Sequence, residues 1–148
     1  MLLAFDIGNT NISIGIFKDK DLIHKWSLPS DLKRSADDYA IDIIEYFLNH
    51  KIDCLNISRS IVASVVPDLT NRINEAIKKI TSASMSHNTI IVGDKNVKLN
   101  IENKTDNKNE VGYDRLINGI AAFNKFGGNL IIIDFGTATT FDVVGKNG

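Results

Sequence analysis

Three features of the 148 residues predict an α/β fold. Apolar runs rich in β-branched residues alternate with segments whose apolar residues recur at helical spacing. Three strand-like runs come in succession before the first helix, so the order reads βββαβαβ. Near both ends an apolar run closes on Asp-x-Gly, passes through small hydroxyl or amide residues and opens a second apolar run. These two blocks are LLAFDIGNTNI at 2–12 and LIIIDFGTATT at 130–140.

The elements follow in order. LLAFDIG, NISIGIF and DLIHKWSL read as three strands, with the polar KDKD, residues 18–21, as the hairpin turn between the second and third. Ser35-Ala36-Asp37-Asp38 has the form of a capping box. Behind it Ala36, Ala40, Ile43, Ile44, Phe47 and Leu48 are expected on one helical face. RSIVASVV, residues 59–66, is a fourth strand. Pro67-Asp68 ends it and opens a helix with the stripe Leu69, Ile73, Ala76, Ile77 and Ile80. Residues 89–92, TIIV, form a short strand, and the polar segment 102–110, ENKTDNKNE, reads as a loop. Gly112 to Phe126 is predicted helical, with Leu116, Ile120 and Phe123 facing inward and Gly127-Gly128 as its stop. Strands over 129–134 and 139–144 follow, and GKNG at 145–148 reads as a hairpin tip. The expected organisation is a first domain over 1–111, a linking helix over 112–128, and the opening hairpin of a second, incomplete domain over 129–148.

Composition narrows the function classes. Apolar content of 43% and charged content of 24% are ordinary for a water-soluble domain. A net charge of −1 offers no general attraction to nucleic acid or anionic lipid, and the sequence has no basic patch. No apolar stretch approaches the ~20 residues of a membrane span, and the N-terminus lacks the cationic lead of a signal peptide. Cys54 is the only cysteine, so no disulfide forms within the chain; this fits a reducing cytoplasm, with Cys54 as a small apolar residue. No Walker motif and no G-x-G-x-x-G occurs. His24, His50 and His87 are scattered without a cysteine at ligand spacing, which argues against zinc. Trp26 and Phe17 lie on strands and read as core. Lys78-Lys79 reads as the solvated face of its helix.

The repeated block has a chemical reading. A glycine after a buried strand permits a tight turn and close approach of backbone to a ligand. The N–H groups and hydroxyls of such a turn suit phosphate oxygens. A carboxylate at the strand tip suits Mg²⁺. Two such turns, facing each other, would clamp one nucleotide from both sides. The plainer alternative for each turn alone is an ordinary hairpin.

Three blocks also resemble one family. Asp6-Ile7-Gly8-Asn9-Thr10-Asn11, Glu110-Val111-Gly112-Tyr113-Asp114-Arg115-Leu116 and Asp134-Phe135-Gly136-Thr137-Ala138-Thr139-Thr140 are similar to the signatures of type III pantothenate kinases, the last two matching E-V-G-x-D-R and D-x-G-T-A-x-T. Ser64-Val65-Val66-Pro67 resembles a further family block. The matches run from residue 3 to residue 140 in the family's order. Where the family has Asp-Asn-Pro this chain has Asp106-Asn107-Lys108, and where its signature has Ala this chain has Tyr113. The resemblance implies a ribonuclease-H-like, actin-like βββαβα domain followed by the start of a second, similar one. It implies ATP-dependent phosphorylation of pantothenate to 4′-phosphopantothenate, the first step towards coenzyme A.

Site roles follow from the same resemblance. Asp114 is expected to be the general base for the pantothenate hydroxyl, within a substrate site of Gly112, Tyr113, Asp114 and Arg115. Arg115 is expected to hold the pantothenate carboxylate; the plain alternatives are a helix cap or pair for Asp114 and a surface ion pair of Arg115 with Glu110 or Asp106. Asp6, Ile7, Gly8, Asn9, Thr10 and Asn11 would form the first ATP turn, with Asp6 orienting Mg²⁺. Gly136 and Thr137, with Asp134 and Thr139, would form the opposing one, and Asp134 would lie near a monovalent cation, K⁺ or NH₄⁺. A homodimer with Leu116, Ile117, Ile120 and Phe123 near its interface is expected. Family members are longer, and the resemblance places most adenine contacts beyond residue 148. That leaves two readings open: an active kinase, or a truncated or non-catalytic relative with weak or no turnover.

Overall fold

Three N-terminal strands form an antiparallel meander: β1 (Leu2–Ile7), β2 (Asn11–Lys18) and β3 (Asp21–Pro29). Asp19 takes the positive φ of +56° that the tight β2–β3 turn needs. Helix α1 (Ala36–Asn49) carries the chain over to β4 (Arg59–Ser64), which pairs parallel with β1. Helix α2 (Pro67–Ile80) then leads to β5 (Asn88–Ile91), parallel to β4. The resulting mixed sheet has the order β3-β2-β1-β4-β5. The computed structural model describes residues 1–82 and 87–148. The chain divides into two compact units, Met1–Asp94 and Lys95–Gly148, and each is described by itself.

Period-2 patterning builds the core of the first unit. Leu3, Phe5 and Ile7 of β1 and Ile12, Ile14 and Ile16 of β2 are buried, whereas Asp6 falls on the opposite phase and is exposed. The two helices cover the apolar face. All five residues of the predicted α2 stripe, Leu69, Ile73, Ala76, Ile77 and Ile80, are buried. Removing a leucine or isoleucine side chain of this kind from water contributes about 1.5–3 kcal/mol. Helix α1 begins with the expected capping box: the Ser35 hydroxyl accepts from Asp38 N–H, and the Asp38 carboxylate accepts from Ser35 N–H. Those bonds to Ser35 hold the Asp38 carboxyl below its usual value.

The buried face of α1 departs from expectation. Ala36, Ala40, Ile43 and Phe47 point inward, but so does Tyr39, while Ile44 is 42% and Leu48 74% exposed. Tyr39 occupies the face because its hydroxyl is satisfied there. It accepts from Asp31 N–H and donates to the carbonyls of Pro29 or Asp31, at 3.0–3.1 Å. Cys54 is half-buried and packs against this core, as does Trp26, which stacks on Tyr46 at 3.8 Å between ring centres. Lys79 is exposed and pairs with Asp37.

In the second unit, α3 (Tyr113–Phe126) packs against a hairpin of β6 (Leu130–Phe135) and β7 (Thr139–Val144). Gly112 is the N-cap, and Gly127 ends the helix with φ +83° and its N–H on the Phe123 carbonyl. Leu116, Ile120 and Phe123 were expected inward, but they are half-buried; Gly119 is the α3 residue that is buried. A two-stranded sheet covers only part of a helical face. A Cβ at position 119 would lie 2.7 Å from Ile101 Cδ1, so a larger residue there would have to displace the end of that side chain. The segment before α3 is braced by its own side chains rather than by proline: Asn103 donates to the Lys108 carbonyl and Asn107 to Glu110. A 3-10 turn occupies Lys108–Glu110.

Candidate active site

The first turn of the repeated block joins β1 to β2. Asp6 is the penultimate residue of β1 and lies opposite Ser13. Ile7 pairs with Ile12, so Gly8, Asn9, Thr10 and Asn11 close the loop, with Gly8 N–H donating to the Asn11 carbonyl at 3.0 Å. A Cβ at position 8 would stand 3.3 Å from that same carbonyl, tighter than most side chains allow. The turn is tied down from outside. Ser30, just after β3, donates its hydroxyl to the Gly8 carbonyl at 2.6 Å and its N–H to the Thr10 carbonyl at 2.9 Å. Sequence reasoning missed Ser30. The available signal was a hydroxyl residue straight after Pro29, at the edge of the strand that pairs with Asn11.

Parallel pairing brings a further motif to this turn. Ile7 lies opposite Ser64, and Val65 N–H donates to the Ile7 carbonyl. The Ser64 hydroxyl accepts from Val66 N–H and donates to its carbonyl, which stops β4 two residues short of the predicted end. Val66 is then the N-cap of α2, with Pro67 in its first turn. The Ser64-Val65-Val66-Pro67 block therefore sits beside the β1–β2 turn.

The second turn joins β6 to β7 and is one residue shorter. Phe135 pairs with Thr139, leaving Gly136, Thr137 and Ala138 in the loop, with Gly136 N–H on the Ala138 carbonyl at 3.2 Å. Asp134 is again the penultimate strand residue, and again a hydroxyl residue, Thr140, lies opposite. Asp134 accepts a hydrogen bond from Asn118 of α3 at 3.3 Å.

The start of α3 brings the remaining candidates together within this unit. Tyr113 is 41% exposed. Asp114 lies in the first turn, where the helix N-terminus favours a negative charge. Its Oδ1 is screened from water and has no hydrogen-bond partner among the described residues. Gly112 caps the helix without a side-chain bond, so Asp114 is not the cap. Arg115 pairs with Asp142 of β7, not with Glu110 or Asp106. Its Nε donates to Asp142 Oδ1 at 2.8 Å, its Nη2 reaches the same oxygen, and Nη2 also donates to the Phe141 carbonyl at 3.3 Å. The bonds to Asp142, opposed by partial burial, raise the guanidinium above its ordinary value. Asp142 was not singled out in the sequence; its place, two residues after Thr140 on the same face of β7, was the signal.

Comparison with known proteins fits this geometry. A family model for type III pantothenate kinases matches residues 2–148. The chain belongs to that family. A type III pantothenate kinase from Moorella thermoacetica is 39% identical over all 148 residues, and the chain spans 56% of that relative's length. Among solved structures, a candidate N-acetylglucosamine kinase from Porphyromonas gingivalis superposes with a TM-score of 0.52 at 13% identity, over the whole of this chain and 46% of its own. That likeness extends to the fold, which is the actin-like α/β fold expected of a type III pantothenate kinase. The family's signature residues thus occupy two matched strand-turn-strand units and the first turn of α3.

Proposed function

We propose that this sequence supplies the phosphate turns and the catalytic base of an ATP-dependent pantothenate kinase. Asp114 carries the reading: a carboxylate oxygen screened from water, without a partner among the described residues, one residue from a guanidinium. An oxygen in that state costs about 1–3 kcal/mol, which an incoming hydroxyl donor would offset. In this role Asp114 accepts the proton of the pantothenate primary hydroxyl as the oxygen attacks phosphorus. Arg115 holds the pantothenate carboxylate, and Gly112 and Tyr113 complete that side of the site. With the Nε–Nη2 edge of Arg115 on Asp142, the carboxylate contact falls to Nη1.

ATP is the phosphoryl donor, and phosphoryl transfer relies on positioning and charge neutralisation. The turn Asp6–Asn11 and the turn Gly136–Thr139 offer N–H groups and hydroxyls to its phosphates. Mg²⁺ is typically held by one or two carboxylates together with substrate phosphates. Asp6, exposed at its strand tip, fits that donor set. Asp134, braced by Asn118, is assigned to the monovalent cation. Residues 1–111 form the first domain in this reading, 112–128 link it onward, and 129–148 open the second. The kinase acts in the cytoplasm as a homodimer, with the half-exposed apolar face of α3 at the interface; among the described residues no helix is long and apolar enough to cross a membrane.

The test is a coupled ADP-release assay, with pantothenate against glucose and with or without K⁺. It uses a protein of the relatives' full length that carries these 148 residues. Pantothenate-dependent, K⁺-stimulated release is expected. Asp114→Asn should lower kcat at least about a hundredfold. Release with glucose alone, or a fully active Asp114→Asn protein, overturns the assignment.

A further inference from the structure

We infer that Asp142 is a positioning residue that holds the Arg115 guanidinium ready for the substrate carboxylate. The inference rests on the reading that Arg115 binds pantothenate. Three observations carry it. First, Asp142 engages Arg115 through a single oxygen: Oδ1 accepts from both Nε and Nη2, and its Oδ2 is screened from water without a partner among the described residues. The carboxylate therefore directs its hydrogen bonding to this one side chain. Second, the adjacent Phe141 carbonyl also accepts from Nη2. Two acceptors from consecutive residues fix the guanidinium plane, which one acceptor would leave free to swing. Third, the pair is partly sheltered, with side-chain exposures of 34% for Arg115 and 18% for Asp142. A partly sheltered pair in which one carboxylate oxygen takes two N–H groups is held better than a fully exposed one.

The placement links the two halves of the site. Asp142 sits two residues beyond Thr140, which lies opposite Asp134. The strand that leaves the second phosphate turn therefore also holds the arm assigned to the substrate. Arg115 is long and flexible, and an unheld guanidinium must be ordered at the moment of binding. Asp142 does that ordering beforehand. An Asp142 that competed with substrate for Arg115 would have the opposite effect, so the sign of the change decides between them.

Asp142→Asn removes the charge at nearly constant shape, and Asp142→Glu restores the charge on a longer arm. Kinetics are measured on the family-length protein carrying this sequence, with pantothenate and ATP varied separately. Asp142→Asn should raise the pantothenate KM about tenfold or more, with kcat and the ATP KM changed by less than about threefold. Asp142→Glu should recover most of the loss. In an Arg115→Ala background, Asp142→Asn should add nothing, because the two residues act as one unit. In the ¹⁵N–¹H spectrum of the 148-residue chain, the Arg115 Nε–H signal, identified by its loss in Arg115→Lys, should be protected from solvent exchange, and should lose that protection in Asp142→Asn. If Arg115→Ala raises the pantothenate KM and Asp142→Asn leaves it unchanged or lowers it, the inference fails while the reading of Arg115 stands. If Arg115→Ala itself leaves the pantothenate KM unchanged, both fail.

Discussion

Replacing Ser30 by alanine should loosen the β1–β2 turn without unfolding the sheet around it. The Ser30 hydroxyl donates to the Gly8 carbonyl at 2.6 Å, while its backbone N–H bond to Thr10 survives the substitution. One net hydrogen bond contributes about 0.5–1.5 kcal/mol, and a partly buried carbonyl left unpaired adds to the cost, for about 1–3 kcal/mol in all. The bond lies at the turn, so the loss should fall mainly on local opening. Each 1.4 kcal/mol is a factor of about ten in an equilibrium. Amide exchange of Gly8, whose N–H is bonded to Asn11, should therefore speed up about tenfold or more. If the turn binds ATP as proposed, the same loosening should weaken ATP by up to about tenfold, because the turn must be ordered again on binding. Hydrogen exchange resolved to residues 8–11, beside a thermal melt, makes the measurement. Unchanged exchange at Gly8 in the variant, with an unchanged melt, would refute the reasoning that Ser30 supports the turn.

Other outcomes test neighbouring links. Tyr39→Phe strands the Asp31 N–H and should cost about 1–3 kcal/mol in urea unfolding, since three backbone groups lose a shared partner; a cost near zero would remove Tyr39 from the account of why α1 turns that face inward. Burial holds the His87 imidazole below its ordinary value, beside the Ser60 hydroxyl at 2.9 Å. The unfolded chain then takes up the proton first. Stability from this residue is fully present above the ordinary imidazole value, falls as the pH drops towards the folded one, and levels off below it. Melts between pH 7.5 and 5.5 should show that fall, and His87→Gln should shrink it; identical slopes in both proteins would contradict the assignment. Arg115→Ala should raise the pantothenate KM far more than the ATP KM, and equal effects would argue against a carboxylate contact.

The order of strands and helices along the chain was legible because it follows from local pattern. The alternation in β1 and β2 places Asp6 off the core face, and the 3.6-residue stripe of α2 leaves its buried set unambiguous. What escaped was set by partners distant in sequence. Ile44 and Leu48 satisfy the helical period of α1 as well as Tyr39 does, but the hydroxyl of Tyr39 meets the 29–31 backbone, which no periodicity reveals. Ser30 matters through Gly8, 22 residues away, and Asp142 through Arg115, 27 residues away. The repeat itself is looser than the letters suggest, since its second turn closes one residue sooner. The half-buried face of α3 could not be read either, because apolar residues at helical spacing do not say how much sheet they meet.

The proposed function requires both turns to bind nucleotide phosphate. Mn²⁺ in place of Mg²⁺, bound with a non-hydrolysable ATP analogue to the family-length protein, reports this through paramagnetic broadening of nearby amide signals. Gly8 and Gly136 should broaden together, along one titration curve with a single midpoint. Broadening at only one of them, or at neither while the nucleotide is bound, would contradict it.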